Sequence, residues 1–376
     1  MTDHDTSNSV EPSFETDENT YSESQYYDGE GQEYSIVKER TWGQRLKSSI
    51  SDLGFGIFLI SLALFLLYAN ESRSDHREKV LKQGEKAAIS ITSDLRDWNN
   101  NRKLVHTSGL ATTEDILVDP EFGIKAVGIH LKRRVQVYQW KESRRTHVQK
   151  LSDGTEKEVT TYTYRKVWSE GLNDSTFFKQ KQYRNPKSVA FQSIIYNAKS
   201  MSLGGFEFPY DLSRMMSRYV DIEADSELLL GEQVYGHVSK DQTGYYIGND
   251  PETPNIGDMK ITFHIVEPAV VSIVAQQIEN GFRPWNTKNG PLSLLQYGVK
   301  TKDEMFEKAH SENTFATWAG RFGGFAFMWA GFFLLLRPIA VLASVIPVIG
   351  GVIGGGVALI SFSLAALGTL ATIIIV

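Results

Sequence analysis

The stretch Leu53–Ala69, LGFGIFLISLALFLLYA, contains no charged residue. An α-helix rises about 1.5 Å per residue, so with its flanks this run crosses a hydrocarbon core of about 30 Å. A secretory signal would lie nearer the N-terminus and end at small residues. Here a polar segment precedes the run, and YANESRSDHREK follows it. The run is therefore read as an uncleaved membrane helix over residues 50–72.

The C-terminal part adds further apolar sequence. FGGFAFMWAGFFLLL, from Phe322 to Leu336, lies between Arg321 and Arg337, and Pro338 follows. Long Arg side chains reach headgroups from such positions, so Arg321 and Arg337 are expected as interfacial anchors of a second span over 313–337. After Arg337 no charged residue occurs up to Val376. In IPVIGGVIGGGVAL neither Lys nor Ser/Thr follows the last glycine, which excludes a P-loop, and no acidic residue downstream supports a dinucleotide fingerprint. Gly350/Gly354 and Gly351/Gly355 are instead four apart in apolar sequence, a spacing that lets helices approach closely. Pro338, Pro347 and the glycines predict a broken or re-entrant segment over 338–356, then a spanning helix over 357–376, with two complete spans as the alternative.

Residues 1–37 hold ten Asp/Glu and no Lys or Arg, so the remaining residues of this chain of net charge −6 sum to +4. Such a segment buries too little apolar surface to offset its conformational entropy, and 1–49 is expected as an acidic disordered tail. There is no basic excess to bind nucleic acid. The chain has no cysteine, which removes disulfides, thiolate metal sites and thiol nucleophiles and favours a bacterial source.

Residues 73–312 have ordinary charged composition and no spanning run. Val127–Trp140 alternates, with Val127, Ile129, Leu131, Val135 and Val137 on one face, and Val159–Trp168 forms a second such run. Asp153-Gly154 between them predicts a hairpin. Met259–Val266 and Val270–Gln276 are expected to pair around Pro268, with a turn at Asn280-Gly281. LVHTSGL…VDPE and QVYGHVS…NDPE, each followed by an alternating strand, hint at two related β subdomains. Thr301 and Glu304 form a capping box that starts the helix into the second span. The fold class is thus an α+β membrane protein, with transmembrane helices flanking a large β-rich extramembrane domain.

No nucleophile elbow, zincin motif or paired-His spacing is present, so no catalytic, cofactor-binding or metal residue is assigned. His106, His130, His237 and His264 fall on expected strands and are read as satisfied or surface histidines. Lys132, Arg133 and Arg134 are candidates for headgroup or partner contact against a plain solvated strand face. Asn70 and Asn173 lie in N-x-S sequons.

Several words resemble the LUMA, or transmembrane-protein-43, family: NES after the first helix where the family has Asn-Glu-Gly, LVHTSGL, DPEFGIKAVGIHLKRRVQVYQWKE, YRKVWSE, NPKS, IGDMKITF, TWAGRFGGFAFMW and VIPVIGG. The resemblance covers about residues 50–376. It implies a multi-pass protein whose domain is non-cytoplasmic, further chain with a Tyr-Arg-Pro element and a fourth apolar segment, and self-association. It also implies, in eukaryotes, the endoplasmic reticulum and inner nuclear membrane with lamins and emerin. It supplies no catalytic residue. The charged flanks, Lys38, Arg40, Arg45 and Lys47 before the first helix against Arg73, Arg77, Lys79, Lys82 and Lys86 after it, do not fix orientation. The expected function is a non-enzymatic, self-associating, membrane-organising scaffold in a bacterial inner membrane. Its expected partners are the lipid bilayer, further copies and other membrane proteins. A membrane-anchored envelope- or lipid-modifying enzyme with its site in 73–312 is the alternative, and a transporter is the least favoured reading because the spans lack midplane acids or bases. With at least two apolar spans, alkaline carbonate should leave the protein in the membrane pellet, and its appearance in the supernatant would overturn the topology.

Overall fold

The structure is a computed structural model that describes residues 21–22, 33–150, 155–222, 238–241, 244–344 and 347–376. In chain order its main elements are β1 (Glu33–Arg40), α1 (Trp42–Ala87), β2 (Leu104–Thr113), β3 (His130–Lys150), β4 (Glu156–Ser169), β5 (Gly244–Ile247), β6 (Met259–Val266), β7 (Ala269–Ile278), β8 (Leu294–Tyr297), α2 (Lys302–Ala343) and α3 (Pro347–Ile375).

Two antiparallel sheets face each other. One runs β1–β4–β3–β6–β5, and the other has β2 paired with β7, which also pairs β8. Alternation along the strands turns Val105, Ala111, Val135, Val137, Ile261, Phe263, Val271 and Ile273 into one buried core. β3 and β4 form the expected hairpin, from Val137↔Ser169 to Lys150↔Glu156.

Two strand expectations are corrected. β6 and β7 are consecutive but do not pair: β6 joins β3 and β7 joins β2, so the chain crosses between sheets at Glu267-Pro268. For the same reason the two halves are not separate subdomains. β2 and β3 come from the first half and their partners β7 and β6 from the second, so each half completes the other's core. The turn at Asn280-Gly281 is present, with Ile278 paired to Gly281.

Among the described residues, three helices are long and apolar enough to cross a membrane. α1 and α2 lie antiparallel. At one end, the Trp42 indole donates to the Val341 carbonyl at 2.9 Å. At the other, Lys302 Nζ donates to the Glu85 carbonyl at 3.2 Å. The capping box is in place, with the Glu304 amide donating to Thr301 Oγ1 at 3.2 Å and the Thr301 amide to Glu304 at 2.7 Å. Val80, Leu81, Leu104, Val274, Leu292, Met305, Phe306 and Ala309 form a second core that fastens this end to the β unit. Phe55, Phe58, Phe65 and Tyr68 stay exposed along α1, as lipid-facing side chains do.

The break expected over 338–356 is confined to the interval between Ala343 and Pro347. α2 continues through Pro338 to Ala343, and α3 is one helix from Pro347 to Ile375. In hydrocarbon an unwound backbone would leave polar groups without partners, so α3 stays helical despite its glycines. Pro347 begins α3, where a missing N–H costs nothing. The tail is shorter than 1–49. Residues 33–40 form β1 on β4, from Glu33↔Thr163 to Arg40↔Glu156, and α1 starts at Trp42. Tyr34 and Ile36 bury against Tyr164, Phe178 and Tyr183, a distant partner that local composition does not reveal. Residues 1–20 and 23–32 lie outside the described residues.

The α1–α2 seam is closed by glycine. A Cβ on Gly56 would lie 2.9 Å from the Gly331 carbonyl oxygen, and one on Gly331 would lie 2.7 Å from Ile60 Cγ1, whereas one on Gly323 meets nothing within 4 Å. Gly56→Leu or Gly331→Leu should therefore destabilise the pair by about 1–3 kcal/mol through overpacking. In a detergent melting series either variant should lose stability while Gly323→Leu does not.

Candidate functional site: the polar junction of α1 and α2

Leaving the apolar stretch towards the β unit, α1 presents Leu67, Asn70 and Glu71 to Thr317, Gly320, Arg321 and Gly324 of α2. Gly324 accommodates Leu67, and Gly320 accommodates Asn70, whose Oδ1 would lie 2.3 Å from a Cβ there. With its side chain so received, Asn70 donates through Nδ2 to the Thr317 carbonyl at 3.0 Å. The next residue, Glu71, takes two hydrogen bonds from Arg321, from Nε and from an Nη, each 2.8 Å. The Arg321 guanidinium also lies over the Trp318 ring, 5.0 Å from its centroid.

The ladder continues away from the membrane. Thr317 donates to Ser74 Oγ at 2.6 Å, Asn313 Nδ2 to the Ser74 carbonyl at 3.2 Å, and His310 Nδ1 meets Glu78 at 2.9 Å. An open groove of about 450 Å³ follows this edge, lined by Glu71, Ser74, Asp75, Glu78, Asn313 and Arg321 among others. Both Glu71 oxygens are occupied by Arg321, which suits a structural lock and not a proton acceptor. No group of three or more His, Asp or Glu among the described residues is arranged to hold a metal ion.

A matching pair closes the far end of the slab, where Arg337 is bonded to Asp52. From Asp52 to Glu71 α1 rises about 28 Å, close to a hydrocarbon core. Arg321 and Arg337 thus stand about one apolar stretch apart on α2, each neutralised by a carboxylate of the opposite helix.

The other sequence candidates are scattered. Cβ atoms on Gly351, Gly354 and Gly355 would meet nothing within 4 Å among the described residues, and the surroundings of Gly350 lie outside the described residues. The glycines that pack α1 against α2 are Gly56, Gly320, Gly324 and Gly331. The four-residue spacing of Gly320 and Gly324 was a legible signal for them, with Gly331 further along the same helix. Arg133 is not available to headgroups. It is buried, paired to Asp119 at 3.0 Å and to Glu121, and donates to the Gln192 carbonyl at 3.1 Å. Burial pushes the Asp119 carboxyl above its usual range, and Arg133 opposes that shift. Arg134 pairs with Glu170, and Lys132 lies 5.9 Å over Tyr219. His106, His130 and His264 each have partners on both ring nitrogens, and His237 lies outside the described residues. Both sequon asparagines have structural uses: Asn173 Nδ2 donates to the Trp140 carbonyl at 3.1 Å, as Asn70 does to Thr317.

The sequence model of the family described as Transmembrane protein 43 matches residues 137–376. The chain belongs to the transmembrane protein 43 family. It is 27% identical over 346 residues to the Homo sapiens Transmembrane protein 43, covering 88% of this chain and 84% of the human one. The Mus musculus protein stands at the same identity and coverage. The Transmembrane protein 43 homolog of Drosophila melanogaster is 26% identical over 291 residues, 74% of each chain. No solved structure matches. The human alignment is too long to fit within the part of the chain after Asn70 and Glu71, so for this transmembrane protein 43 chain the likeness includes sequence before or around the first half of the junction.

Glu71→Gln or Arg321→Met leaves one half of a mostly buried, charge-assisted pair alone. Either should cost about 1.5–3 kcal/mol in nanodisc melts. The swap Glu71→Arg/Arg321→Glu should recover part of that loss, and no recovery would mean that the pair is not the source of the stability.

Proposed function

We propose that this chain is a non-enzymatic scaffold that associates with copies of itself in a membrane and holds its β unit against the bilayer. The observation that carries the reading is the free face of α3. Gly351, Gly354 and Gly355 lie in an apolar helix that packs on α2 elsewhere, through Phe362 against Phe325 and Gly368 against Met328. Among the described residues nothing approaches within 4 Å of where a Cβ would stand at the three glycines. Close backbone approach is what drives helix association where lipid removes the hydrophobic force. The α1–α2 stalk supports the same reading, because its second core fixes the β unit to the spans as one body. The proposal puts the protein in a bacterial inner membrane, with lipid, further copies and other membrane proteins as its partners. The endoplasmic reticulum or inner nuclear membrane takes that place if the source is eukaryotic.

Gly351→Leu/Gly355→Leu should lower the oligomer fraction in nanodiscs by native mass spectrometry. Its melting curve should stay that of the wild type, since the new side chains meet nothing among the described residues. An unaltered oligomer would overturn the proposed contact.

A further inference from the structure

The hairpin β3–β4 reaches much further than the β unit needs. β3 is paired to β6 only from His130 to Val137, and from there to Lys150 it runs on with β4 for about 43 Å. At its tip, Glu156 forms an ion pair of 2.8 Å with Arg45, a residue near the start of α1 that is itself buried. β1, which precedes α1, then folds back along β4 and adds a third strand, with Arg40 bonded to Glu158 at 3.1 Å.

The membrane helices fix where that tip lies. The β unit is docked at Gly84 and Phe306, on the Glu71–Arg321 side of the apolar slab. Arg45 lies beyond Asp52, on the other side. Arg45 and Glu71 are about 39 Å apart along α1. A ribbon of about 43 Å that joins the β unit to Arg45 must therefore run nearly parallel to the helices and pass the whole slab.

The ribbon is not built for lipid. A strand facing hydrocarbon is apolar on every second residue. Here one face carries Lys141, Ser143, Arg145 and His147 of β3, and the other includes Glu142 and Arg144. From Ser143 to Gln149 these side chains are exposed. Neither such charges nor an open strand edge is tolerated in hydrocarbon. Three helices of one chain, in contact with each other along the α1–α2 seam and through α3, cannot also surround the ribbon.

We infer that copies of this chain assemble side by side in the membrane through the glycine face of α3, with the remaining surface of the helices facing lipid and the β1–β4–β3 ribbons lining a shared water-filled space between copies. The inference rests on the self-association proposed above and adds what that association encloses. The partner is a second copy, because only its helices, placed on the far side of the ribbon, repeat the apolar wall that the first copy supplies on the near side.

The cysteine-free chain gives a direct test in nanodiscs. Ser35 Oγ and Thr161 Oγ1 are 2.9 Å apart across the β1–β4 pair, so Ser35→Cys/Thr161→Cys should oxidise to a disulfide within one chain. Ser143→Cys sits at mid-slab level and should react with a charged maleimide within a few-fold of the rate of Val299→Cys on the β unit. Phe65→Cys, on the lipid face, should stay unreactive. The labelled particle should hold more than one copy by native mass spectrometry. Absence of the disulfide, or a bond only between chains, in a particle that remains oligomeric overturns the ribbon's path and leaves the scaffold reading standing. Ser143→Cys as unreactive as Phe65→Cys overturns the water-filled space. A monomeric particle overturns both proposals.

Discussion

In hydrocarbon, water is not there to satisfy a backbone N–H or C=O, and the rest of this protein is arranged around that constraint. It keeps α3 helical across the glycines from Gly350 to Gly356, residues that break helices elsewhere. Once the helices are continuous, polar side chains are confined to their ends. The pairs Asp52–Arg337 and Glu71–Arg321 mark those ends on both long helices at once, which fixes depth and register together. Between them, contact is made by glycine against glycine or aliphatic side chain, because little else lets two backbones come so close.

Outside the slab, water returns and ordinary sheet physics takes over. Alternating strands bury one face, and two such faces make the core of the β unit. The stalk and this unit are joined by apolar packing around Leu81, Leu292 and Phe306, so a displacement of the helices is carried into the sheets. The β3–β4 hairpin is where the two regimes meet. Its base obeys the sheet, its tip is held by Arg45, and its polar length lies at the level of the spans.

Much of this was legible in local sequence, for a physical reason in each case. Uncharged length reports a span, period-two alternation reports a half-buried strand, and Thr301 with Glu304 reports a helix start, because each is a property of adjacent residues. The same locality explains the failures. Glycines spaced by four occur in both Gly350–Gly355 and Gly320–Gly324, and the pattern alone did not single out Gly320 and Gly324 as the pair that receives α1. Arg133 falls on the apolar face of its strand, between Leu131 and Val135, and only the approach of Asp119 and Gln192 from elsewhere shows what pairs with it there.

By itself, then, the chain's sequence determined that it enters a membrane, how many apolar helices it offers, and that an α+β protein with a large β-rich unit stands between them. Those outcomes follow from hydrophobic length and short-range periodicity. Tertiary structure decided the pairing of β2 with β7 and β3 with β6, the recruitment of residues 33–40 as a strand, and the meeting of Asn70-Glu71 with Thr317 and Arg321. Each of these joins residues far apart in the chain. Their energies come from burial and charge pairing across elements, which no window of neighbouring residues contains.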